Sequence, residues 1–193
     1  MKKLFAVCII GLTLGTAAFA DHPDGWGVGL VGQGAFSGAF GFGPAFSLKA
    51  PVLPIYWGIS LELRNHYFGL GLTGDFYFLE GLFVPISGSD GFGYFIGVGG
   101  YLGFGNYSDE WWNGSKNVKW SWTSLGLGVR VPLGLNVVIP ISKIKLEVFI
   151  DAAPSIGVGF TFYDDSDYWD QNDHNLVGLQ WGVGFELGVR VWF

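Results

Sequence analysis

The stretch VGLQWGVGFELGVRVWF, residues 177–193, decides the fold. Its odd positions are Val177, Leu179, Trp181, Val183, Phe185, Leu187, Val189, Val191 and Phe193, and every one is apolar. Between them stand Gly178, Gln180, Gly182, Gly184, Glu186, Gly188, Arg190 and Trp192. A strand points successive side chains to opposite faces, so this segment carries one wholly hydrophobic face and one built largely of glycine and charge.

The same alternation runs upstream. Leu125, Leu127, Val129, Val131, Leu133 and Leu135 alternate with Ser124, Gly126, Gly128, Arg130, Pro132 and Gly134. Comparable patterns cover 26–36, 40–50, 55–64, 68–78, 92–105 and 144–162. Together these make eight strands, each about as long as the roughly 9–11 tilted residues that cross a bilayer. With antiparallel hairpins and an even strand count, the sheet can close on itself. The expected outward loops are 37–39, 65–66, 107–119 and 163–175, and the expected turns at the opposite end are 51–54, 79–90 and 136–142.

Composition narrows the class. Of 193 residues, 50% are hydrophobic, 18% aromatic and only 13% charged, with 33 glycines. Disorder requires the reverse balance, and the glycines follow no collagen period. Beyond the first residues no apolar run reaches the roughly 18–20 residues of a spanning helix. Ten Lys and Arg against sixteen Asp and Glu leave no basic footprint for nucleic acid.

Residues 1–20, MKKLFAVCIIGLTLGTAAFA, read as a secretory signal peptide. Lys2 and Lys3 form the positive end, 4–14 the apolar core, and Ala18-Phe19-Ala20 the cleavage site. Cleavage after Ala20 removes Cys8 and leaves 21–193 as one domain with eight basic and sixteen acidic residues, net −8.

Orientation separates a soluble barrel from a membrane one. A soluble barrel turns large apolar side chains inward. Here the other face is mostly glycine with isolated charges, which would make a thin surface and an overfull core. Turned inward, that face suits a narrow interior, and the aliphatic face meets lipid. The expected fold is therefore an all-β, transmembrane, antiparallel up-and-down β-barrel of eight strands in the outer membrane. Trp26, Trp57 and Phe193 fall near one expected membrane boundary, and Trp122 and Trp181 near the other.

At this point the chain resembles small bacterial outer-membrane barrel proteins. Phe193, preceded by Val191, Val189 and Leu187, resembles the C-terminal signal that hands such proteins to the outer-membrane assembly machinery and its periplasmic chaperones. The stretches GLGVRVPLGL, LEVFIDAAPSIGVGF and WGVGFELGVRVWF resemble an uncharacterised family of small barrels known from spirochaetes, and the architecture is similar to OmpW- and OmpA-type barrels. The resemblance implies a compartment and says little about activity, because a fold hosts many functions.

On the expected inner face lie Lys49, Arg64, Arg130 and Arg190 against Glu62, Asp75, Glu147, Asp151 and Glu186. Charges in a narrow lumen must be paired. They make either a salt-bridge plug or a selectivity filter, and the small interior favours the plug. Trp111, Trp112, Lys116, Lys119 and Trp120, with Tyr168 and Trp169 in the second long loop, have the composition of a contact surface. Asp164, Asp165, Asp167, Asp170 and Asp173 crowd that second loop without the spacing or turn glycine of a calcium loop.

No catalytic, cofactor or metal site is expected. His66 near Glu62 is the best base, but no serine nucleophile is placed beside it. The reading is a monomeric, non-enzymatic barrel with a structural or adhesin-like role, in contact with outer-membrane lipid and a host or surface ligand. An OmpW-like conduit for small solutes is the alternative, and a lipid-modifying enzyme the third.

Overall fold

The computed structural model describes residue 23 and residues 25–36, 43–87, 90–112, 117–165 and 176–193; of residues 111–112, 117–120 and 164–165 it describes the backbone only. The expected signal segment 1–20, the tip 37–39 and the core of loop 163–175 lie outside the described residues.

Nine strands follow in order: β1 (Gly27–Phe36), β2 (Gly43–Lys49), β3 (Tyr56–Arg64), β4 (Tyr67–Ser87), β5 (Asp90–Trp112), β6 (Asn117–Arg130), β7 (Leu133–Ile141), β8 (Ile144–Asp165) and β9 (Leu176–Trp192). All pair antiparallel, and each pairs on both sides. β6 and β7 share one position between β5 and β8, so the nine strands form an up-and-down ring of eight. β9 returns to β1 through Gly27↔Trp192 to Phe36↔Val183, and this pairing closes the ring.

The register gives the ring its dimensions. A path straight across the sheet leaves β8 at Lys145 and passes through Trp192, Gly27, Lys49, Tyr56, Asp75, Gly99 and Arg130. It returns to β8 at Ser155, ten residues further along. With about 3.3 Å per residue and about 4.8 Å between strands, that advance corresponds to a strand tilt of about 40° and a backbone radius of about 8 Å.

Alternation sorts the side chains as the sequence pattern requires. Leu30 is 64% exposed, Leu187 61% and Phe46 64%, and large apolar residues stay exposed at outward positions on all nine strands. Inward positions are buried. They hold Ser47, Asp75, Arg130, Glu147, Asp151 and Arg190, and also Tyr56, Phe95, Phe149 and Trp192.

That last group corrects an expectation. The interior is not lined by glycine and slim polar groups alone, because bulky rings fill it. The inward glycines accommodate those rings. Phe95 pairs with Gly134 and Phe149 with Gly188, and a Cβ on either glycine would fall within the partner's ring. Tyr77 covers Gly97 in the same way, and Tyr101 covers Gly128.

Three expected connections are mostly strand among the described residues. In segment 79–90, β4 runs to Ser87 and β5 starts at Asp90. Register shifts between Tyr77 and Leu79, Leu82 and Val84, and Pro85 and Ser87 interrupt its ladder. Each bulge changes which face the next side chain takes, so the alternation test loses phase there. Segment 136–142 is mostly β7, and the turn is only Ser142-Lys143, with Ser142 at φ 58°. Segment 107–119 extends β5 to Trp112 and starts β6 at Asn117.

Conversely, the expected strand 124–135 breaks at Val131-Pro132. Proline has no N–H for the ladder. The Val131 N–H instead reaches Pro154 O at 2.9 Å, and Pro132 O accepts from Gly97 N at 2.9 Å.

Ring-over-glycine packing makes a direct prediction. Gly134→Leu forces a side chain into the space of Phe95 and should destabilise the ring by about 1–3 kcal/mol, as overpacking does. Gly100→Ala, whose Cβ would meet only Gly128 O at 3.5 Å, should be tolerated. Urea unfolding of both variants checks the contrast.

Candidate functional site

The inward face of β8 and β9 supplies the densest polar cluster. Glu147 and Arg190 are cross-strand partners and are 0% and 2% exposed. Arg190 Nη1 donates to Glu147 Oε2 at 2.6 Å. Glu147 also accepts from Asn136 Nδ2 at 2.9 Å and from Trp192 Nε1 at 2.9 Å. Arg190 Nε and Nη2 donate to Ser47 Oγ at 3.2 and 2.9 Å. Its guanidinium lies 4.6 Å from the Phe149 ring centre and 4.9 Å from that of Tyr56, a cation over aromatic faces. Tyr56 stacks on Tyr77 at 4.2 Å, and Tyr77 on Phe95 at 4.5 Å. A charged pair and a stack of rings therefore lie across the interior at one level.

A second layer centres on Arg130. Its Nη2 is 2.7 Å from Glu186 Oε1 and 4.0 Å from Asp151 Oδ1, and its Nε is 3.2 Å from Asp75 Oδ1. Gln33 Nε2 donates to Glu186 Oε1 at 3.2 Å. Six of the nine expected lumen residues, Asp75, Arg130, Glu147, Asp151, Glu186 and Arg190, are thus brought into these two layers.

The other three are elsewhere. Lys49 Nζ donates to the carbonyls of Ala50 and Leu53 at 2.9 and 2.7 Å, tying down the β2–β3 connection. Glu62 and Arg64 pair with each other at 2.8 Å, and the Arg64 side chain is 54% exposed. This pair sits at the strand end beside Asn65-His66, where alternation continues but the interior does not.

Parity along the strands was the signal for much of what the sequence reading left out. Two residues from Glu147 stand Lys145 and Phe149; two from Arg190 stands Trp192; two from Asp75 stands Tyr77. Lys145 Nζ is 2.8 Å from Asp90 Oδ1 and links two hairpin ends. Asn136 was hidden by its assignment to a turn.

His66 does not meet Glu62: its Nδ1 is 3.2 Å from Ser108 O and 3.4 Å from Asp109 Oδ1. Trp111, Trp112, Lys119 and Trp120 lie on β5 and β6, while Lys116, Tyr168 and Trp169 lie outside the described residues. Leu187, Val189 and Val191 take outward positions on β9. Phe193 exchanges two backbone hydrogen bonds of 3.0 Å with Trp26. Among the described residues no group of three His, Cys, Asp or Glu could hold a metal ion.

Comparison with protein families gives one match: the model described as "Protein of unknown function (DUF3996)" aligns with residues 40–190. The chain belongs to this family. The DUF3996 match includes both arginines and all four carboxylates of the two layers, and leaves β1 outside. Its description names neither a spirochaete group nor an OmpW-type one. The comparisons with curated proteins and with solved structures find no match.

The Arg190–Glu147 pair should behave as a unit. Removing one partner strands a buried charge and should cost about 3–5 kcal/mol, whereas replacing both by apolar residues should cost far less. Urea unfolding of Arg190→Met, Glu147→Leu and the double variant measures this, and the double variant should be more stable than the sum of the single losses implies.

Proposed function

We propose that this DUF3996 chain is a transmembrane β-barrel of the bacterial outer membrane, without catalytic activity, whose role is structural or interactive at the cell surface. The observation that carries the reading is its inverted polarity. Large aliphatic and aromatic side chains occupy the exposed outward positions of every strand, while Asp75, Glu147, Asp151, Arg130 and Arg190 are buried inside, with Glu186 half-buried beside Arg130. In water that surface would aggregate; in hydrocarbon it is the surface required. Closure supports the same reading, since a spanning sheet must satisfy its backbone groups internally.

The interior favours a closed barrel over a conduit. Arg190, the Tyr56–Tyr77–Phe95 stack and Phe149 occupy one level of a ring about 8 Å in radius, a size that side chains can fill. The surface role rests on height. β5 and β6 stay paired to Trp112↔Asn117, and β6 and β8 to Trp120↔Asp165, whereas β4 stops at Tyr67↔Tyr107. The paired backbone at 107–112, 117–120 and 163–165 therefore projects beyond the end of β4, which supports segments 107–119 and 163–175 as the surface-interaction elements.

In the outer-membrane fraction, the folded protein should migrate differently on gels before and after boiling. In planar bilayers the wild type should give no defined single-channel steps, and the double variant Tyr77→Ala, Phe95→Ala should give measurable conductance. Steps from the wild type would instead favour the conduit.

A further inference from the structure

With Arg190 engaged by Glu147, Arg130 is the nearest cation to three carboxylates, and it serves them unequally: 2.7 Å to Glu186, 3.2 Å to Asp75 and 4.0 Å to Asp151. Asp151 is 3% exposed, and neither of its carboxylate oxygens accepts a hydrogen bond. In the register it stands directly across from Glu186 on the same inward face, a placement in which like charges repel. A carboxylate buried without a hydrogen-bond donor is strongly disfavoured, and the one cation paired with Asp151, Arg130 at 4.0 Å, stands closer to two other carboxylates.

The surroundings leave both room and a further acceptor. The next inward pair along β8 and β9 is Ala153 and Gly184, and a Cβ built on Gly184 would meet only Ala153 O, at 3.8 Å. Beside Glu186, Gln33 donates through Nε2 while its Oε1 stays buried without a donor. We propose that Asp151 and Glu186, with the Gln33 amide oxygen alongside, form the seat of a small monovalent cation of potassium or ammonium size. The donor set is too sparse for a multivalent metal, consistent with the absence of a metal-holding cluster among the described residues. The seat is a property of the closed ring and does not depend on the compartment in which the ring resides.

The test uses the protein purified in dodecyl maltoside, with urea unfolding followed by tryptophan fluorescence. Potassium chloride is compared with N-methyl-D-glucamine chloride, whose cation is too large for the seat, at equal concentration. Potassium should raise the wild-type midpoint by about 0.5 M urea or more. Asp151→Asn should be more stable than the wild type in N-methyl-D-glucamine and indifferent to potassium. Gly184→Val, which fills the room but keeps both carboxylates, should also lose the response, so either variant serves if the other fails to fold. A wild type indifferent to potassium, or a response that survives in the variants, overturns the proposal. Indifference together with a midpoint that falls as pH rises also overturns it, and assigns a proton to Asp151 instead.

Discussion

Everything in this molecule depends on how eight tilted strands share an interior with a backbone radius of about 8 Å. Every second residue of every strand points into that space, so most inward positions must be small if any are to be large. The chain meets the limit by pairing: Phe95 lies over Gly134, Phe149 over Gly188 and Tyr77 over Gly97. An inward glycine here is a receptor for its neighbour's ring. Its high frequency in the sequence follows from packing, with no need for unusual backbone angles at those positions.

The same crowding makes buried charge workable. Glu147 receives three donors from three different residues, and Arg190 is hydrogen-bonded to Glu147 and Ser47 while lying between aromatic faces. Such a group gains specificity from completeness, because each member is costly to bury alone. The Arg130 layer is less complete, with three carboxylates sharing one guanidinium. That difference between two otherwise similar layers distinguishes a structural cluster from one with capacity for a ligand.

Much of this was legible in the sequence. Alternation located all eight ring positions and, where the period is unbroken, the face each side chain takes, because a period of two is a property of the strand itself. It failed where the period is interrupted. At 79–90 three bulges shift the phase, and at Val131-Pro132 a missing N–H breaks one strand into β6 and β7. In 107–119 polar and aromatic residues resemble a loop, although the ladder continues beyond the apolar band. The two-layer arrangement was less accessible. Which arginine meets which carboxylate depends on a register that advances ten residues around the ring, and no single strand encodes that advance. Glu62 and Arg64 obey the alternation and still miss the interior, because parity gives the direction of a side chain and not its height.

The seam between β1 and β9 has a kinetic consequence. Gln33 and Glu186 touch across it although they are 153 residues apart in sequence, whereas every other strand pair joins residues much closer along the chain. Contacts between distant parts of a chain form slowly. Zipping from hairpin to hairpin can build an open, curled sheet early, but its two lateral borders meet only after nearly the whole chain is in place. Until then each border exposes a row of unpaired amides and carbonyls, the arrangement most inclined to recruit a foreign strand. The closing of that seam is therefore the step expected to be slow and most exposed to aggregation.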